Sequence, residues 1–143
     1  HKHVTRSTFS EETLAAVAAA DSLIPVNLTF HEIVHGPCSL SQARRLREEG
    51  GYAFNSVSTV DAMSLFAAVA AHTVKVPSEK NLAGHLFWLR ELLDRQVLNT
   101  LQWCDTRDMT AYCHTKGSID RAAILTLMNG KFKFEHETKH YPA

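Results

Sequence analysis

Apolar residues recur every three to four positions over most of this chain and alternate with polar ones in only two clear runs. The start, HKHVTR at 1–6, is polar around Val4 and reads as the end of a strand. STFSEETLAAVAAADSLIPVNLTFHEIVHG then carries Ala, Leu and Val at helical spacing, and its alanine content favours helix. Thr8 and Glu11 have capping-box spacing and mark the expected helix start. Pro25 predicts a kink or a split, and Gly36 with Pro37 predicts a stop. CSLSQARRLREEGG at 38–51 reads as a short polar helix closed by two glycines. SVSTV at 56–60 alternates polar and apolar, a strand that runs into Asp61. AMSLFAAVAAH continues as helix. Pro77 opens another, PSEKNLAGHLFWLRELLDRQVL, with Leu82, Leu86, Leu89 and Leu93 on one face. TLQWC at 100–104 is the second strand and leads into Asp105. DMTAYCHTKG reads as a helical turn and SIDRAAILTLMNG as a final helix with Gly130 behind it. KFKFEHETKHYPA has no sustained pattern and is expected to fray. The chain thus divides into a domain over 1–130 and a tail over 131–143.

Helices alternating with strands predict an α/β fold. Two parallel strands are few, because such a pair does not make a stable sheet by itself. A size of 143 residues suits one domain with a moderate core. The 45% apolar and 21% charged fractions are those of an ordinary globular protein. Basic and acidic residues balance at 15 each, which argues against a strongly basic nucleic-acid binder as a whole. No uninterrupted apolar run approaches the length of a membrane span and no secretory leader pattern is visible, so a membrane is not an expected partner. Cys38, Cys104 and Cys113 are odd in number and contain no CxxC pair. That argues against a disulfide framework and places the chain in a reducing compartment, cytoplasm or nucleus.

HEIVH at 31–35 spells the zinc-protease helix, two histidines four apart with a glutamate after the first. Zinc needs a third ligand, and Gly36–Pro37 end the helix at once. Glu48 and Glu49 lie in a polar stretch with no reason to converge on it. The plainer reading is a helix end whose histidines face solvent or cap the last carbonyls. Trp88 and Trp103 stand beside apolar faces and read as core packing rather than base stacking. Arg44, Arg45 and Arg47 form a basic cluster that is followed by Glu48 and Glu49 and reads as a solvated helix face.

Another set covers far more of the chain. STFSEETLAA at 7–16 puts Glu12 on a helix, STVDAMSLFAAV at 58–69 puts Asp61 at a strand end, and DTRDMTAYCHTKG at 105–117 follows the second strand. In order and spacing these segments, with KNLAGHLFWLRE at 80–91, resemble the ribonuclease H domain at the C-terminal end of the Pol polyprotein of copia-type retrotransposons. The resemblance implies a ribonuclease H-like fold whose remaining parallel strands lie at about 56–60 and 100–104. It implies hydrolysis of the RNA strand of an RNA–DNA hybrid, with a reverse transcriptase domain upstream. The chemistry wants carboxylates, because two Mg²⁺ ions about 4 Å apart clamp the scissile phosphate and prefer hard oxygen ligands. By this resemblance Glu12 and Asp61 are the catalytic and metal-binding residues.

The chain also departs from the family. Tyr112 stands where the last Asp is expected, and His114 does not restore a hard-oxygen site. Asp105 and Asp108 suit turn and cap roles. The family's first Asp, its first two strands and most of the third would lie upstream of His1. The expectation is therefore an impaired nuclease with weak or lost Mg²⁺ binding. Its alternatives are a non-catalytic α/β interaction module and, far behind, the zinc protease.

Overall fold

The structure is a computed structural model that describes the backbone of residues 2–77, 79–109 and 122–143, and side chains from Thr8 onward except Ala123 and Ile124. Among the described residues there are five α-helices and one three-stranded mixed sheet. The helices are α1 (Lys2–His35), α2 (Leu40–Glu49), α3 (Met63–Ala70), α4 (Ala83–Asp94) and α5 (Ala122–Met128); the strands are β1 (Val57–Val60), β2 (Thr100–Cys104) and β3 (Thr138–Tyr141). The sheet order is β1-β2-β3. β1 and β2 pair parallel with Val60 opposite Trp103, as the two-strand reading expects. β2 and β3 pair antiparallel with Leu101 opposite Tyr141.

α1 begins well before the expected start. The HKHVTR segment is helical from Lys2, so it ends no strand, and Thr8 and Glu11 lie inside the helix. The alanine-rich sequence propagates helix in both directions from its packed centre. Pro25 does not divide it either. A proline removes one helical bond, but Ile24 packs on the core, and buried Asn27 donates through Nδ2 to the Phe54 carbonyl at 3.3 Å. Those attachments on both sides of Pro25 hold the helix line against the local break. Thr8–His35 is long and apolar enough to cross a membrane by length and composition. Yet Thr13, Ala16, Ala20 and Asn27 form an inner stripe buried in the domain, the pattern of an amphipathic helix on a core.

The core gathers Ala16 and Ala20 of α1, Leu65 and Val69 of α3, Leu86, Leu89 and Leu93 of α4, and Leu101 of β2. Adjacent residues Leu101 and Gln102 are both buried, so both faces of β2 are covered, as a central strand requires. Ser39 caps α2 through a reciprocal box with Gln42. Arg90 donates to the carbonyls of Val69 and Ala71 at 2.7 and 2.6 Å, which satisfies the C-terminal end of α3. Its guanidinium also lies 4.5 Å from the centre of the Tyr141 ring.

The tail differs from the expected frayed end, because residues 138–141 form β3. Polar alternation hid this strand; it forms because the free edge of β2 and the partly buried Tyr141 site receive it.

Candidate functional site

The C-terminal ends of the parallel strands β1 and β2 lie side by side, and acidic residues follow both. Asp61 comes directly after Val60. Its carbonyl accepts the Trp103 Nε1–H at 3.0 Å, which fixes the end of β1 against β2. Glu12 reaches this end from α1. Burial raises its carboxyl pKa first, and the charges of Asp61 and then Glu11 raise it further. Glu12 and Asp61, distant in sequence, therefore share one electrostatic neighbourhood.

Cys104 closes β2 and is fully buried. Burial pushes its thiol up to about 11, helped by Asp61, Asp108 and Asp105 in that order. Four acids thus crowd the strand ends, but two are engaged. Asp105 caps the 3-10 turn Thr106–Asp108 by accepting the Arg107 backbone N–H, and also takes the Arg107 guanidinium at 2.8 and 2.9 Å. These bonds hold its carboxyl far below the usual range. Asp108 is buried and accepts both the backbone N–H of His136 at 2.9 Å and the His136 Nδ1 at 3.1 Å. Burial alone would raise the Asp108 carboxyl, but the two His136 bonds, the His136 charge and a backbone bond from Glu135 together outweigh it and leave its pKa lowered. The turn role expected for Asp105 is what the structure has. Asp108 does more than a turn requires, and its partner His136 carried no signal in a segment without pattern.

Asp108–His136 stabilises the fold in a pH-dependent way. A carboxyl with a lowered folded pKa contributes stability above its ordinary value of 3.8, and that contribution is lost as pH falls through the lowered value. Replacing Asp108 by Ala leaves the His136 donors without their acceptor. We expect a loss of about 1–3 kcal/mol near neutral pH, with the difference from the parent chain shrinking in acid. Urea titrations at several pH values check this; a pH-independent difference would contradict it.

Among the described residues at these strand ends, Glu12 and Asp61 remain for a cation. Among the described residues no three His, Cys, Asp or Glu side chains gather as a metal site. Tyr112, Cys113 and His114 lie outside the described residues. Two free carboxylates do not fit a two-Mg²⁺ centre, which needs several hard oxygens around each ion. The zinc spelling fares no better. His31 accepts the Ala53 backbone N–H on Nδ1 at 2.9 Å and packs edge-on against Tyr52, and the His35 ring lies 4.6 Å from that of His31. His31 thus docks the loop after α2 onto the end of α1. Trp88 and Trp103 both pack against the core. Arg44, Arg45 and Arg47 are exposed on α2.

No family model matches the chain, and no curated protein or solved structure matches it either.

Proposed function

We propose that this chain is a remnant of the ribonuclease H domain of a copia-type retrotransposon Pol polyprotein, impaired in the hydrolysis of RNA–DNA hybrids. One observation carries the reading. Glu12 on a helix and Asp61 at the end of the parallel strand β1 come within each other's electrostatic reach, as a shared cation site of that family requires. Two further features support it. β1 pairs on one side only among the described residues, with Val57 half exposed. α1 presents Phe30 in edge contact with Phe54 and leaves Ile33 at 72% exposed. A ribonuclease H-like sheet would continue past β1 with further strands, and such surfaces are what it would cover. The reading also carries Mg²⁺, the RNA–DNA hybrid and an upstream reverse transcriptase as associated expectations.

The depleted carboxylate set predicts the outcome of the direct assay. The chain, incubated with a labelled RNA–DNA hybrid and Mg²⁺, releases no product above a buffer control; cleavage would overturn the impaired-enzyme reading. The ancestry is tested separately. The reading frame upstream of the His1 codon encodes a strand bearing an Asp, preceded by a reverse transcriptase. An unrelated upstream frame would remove the retroelement reading altogether. The engagement of Asp105 by Arg107 and of Asp108 by His136 supports, as a second reading, a non-catalytic α/β interaction module.

A further inference from the structure

Two open cavities adjoin where α2 lies along α1. The larger, about 550 Å³, runs between Ile24, Pro25 and Leu28 of α1 and Leu40 and Ala43 of α2. The smaller, about 290 Å³, opens toward Trp88 and Leu92 of α4. Arg44 and Arg47 line both, so the two spaces form one groove with a pair of guanidinium groups at its middle. Spaced three apart, they share one face of α2. Among the described residues neither has an ion-pair partner, whereas Arg95, the other cation of the groove, is bound to Glu91 at 2.6 Å. Tyr52 lines the larger cavity together with Arg44 and Arg47.

α2 buries none of its own residues, so it does not close over the apolar wall that α1 offers. Leu40 at the mouth is 83% exposed. An apolar wall with free cations at one place suits a particular chemistry. Asp21 on the α1 wall and Glu48 beside Arg47 repel an anion elsewhere in the groove, which leaves the Arg44–Arg47 face of α2 for it. The larger cavity falls within the range of about 300–1,000 Å³ usual for small-molecule sites. We propose that this groove binds an amphiphilic anion, its phosphate or carboxylate head on Arg44 and Arg47 and its aliphatic body along Ile24, Pro25, Leu28 and Leu40. Planar guanidinium groups recognise both heads by paired hydrogen bonds. The inference is independent of the nuclease reading, since these residues are separate from Glu12 and Asp61.

The test is titration calorimetry of the full chain with octyl phosphate, and with octanoate, octanol and inorganic phosphate as separate arms. Octyl phosphate or octanoate binds more tightly than octanol and than inorganic phosphate, and the better of the two names the head group. The double variant Arg44→Ala/Arg47→Ala loses at least roughly tenfold in affinity, the scale of lost charge-assisted bonds. Arg45→Ala, on the same helix but outside the groove, retains the parent affinity. All three arginines are exposed, so the thermal transitions of the variants match the parent's. The proposal is overturned if neither amphiphile binds, if octanol binds as tightly as the anions, or if Arg45→Ala weakens binding as much as the double variant does.

Discussion

Gly50→Ala lowers stability by roughly 3–5 kcal/mol, while Gly51→Ala, one residue on, costs only about 1 kcal/mol. Both glycines have positive φ, at +76° and +95°. A side chain at either pays the conformational cost of a left-handed backbone. They differ in surroundings. A Cβ on Gly50 would stand 2.5 Å from the carbonyl oxygen of Gln96 and 3.0 Å from that of Arg95, whereas a Cβ on Gly51 meets nothing within 4 Å. The atoms in the way at Gly50 are backbone, in the turn that ends α4, where Gln96 itself has a φ of 59°. That turn cannot step aside cheaply, because Val97 and Leu98 behind it are buried and their N–H groups bond to the Leu92 carbonyl. The clash therefore separates the end of α2 from the end of α4. Thermal melts of the two variants measure the effect at about 3 °C per kcal/mol for a chain near this size. Equal shifts for Gly50→Ala and Gly51→Ala would mean that the close approach of Gly50 to Gln96 does not exist.

The elements that read well from sequence are those whose local pattern and tertiary surroundings agree. VSTV and TLQWC alternate or concentrate β-formers between turn signals, and they are β1 and β2. Leu82, Leu86, Leu89 and Leu93 repeat at helical spacing, and all four are buried. Where the surroundings decide, the local signal misleads. Pro25 is a breaker by chemistry, yet contacts on both sides carry α1 through it. Thr8 and Glu11 spell a start, yet the helix is already under way. Within the candidate site, Asp61 follows a strand that the sequence pattern marks, whereas Glu12 lies well inside α1 rather than at its expected start. The Asp108–His136 pair was not, since its members lie far apart in sequence and the second follows a stretch with no periodicity. Charged residues within such a stretch give no hint of which partner they will meet.

The same stretch yields the second large effect. Deleting residues 131–143 destabilises the chain by about 5 kcal/mol or more, comparable to the whole margin of a small domain, and broadens or abolishes its cooperative transition. The deletion removes three attachments together. It strips β3 from β2, leaving an unpaired edge along Leu101–Cys104 in a sheet whose other edge, β1, pairs on one side only among the described residues. It removes Tyr141 from the core and from the face of the Arg90 guanidinium. It also leaves buried Asp108 without either of its His136 bonds, an uncompensated charge at the strand ends. Each loss alone is worth on the order of 1–3 kcal/mol, and they share one strand, so they act as a unit rather than independently. Tyr141→Ala should recover part of the effect, whereas His140→Ala, on an exposed position of the same strand, should leave the transition nearly where it was. Circular dichroism melts of the three variants rank them. A truncated chain that melts as sharply and as high as the parent would show that the sheet has two strands in solution and that residues 138–141 do not belong to it.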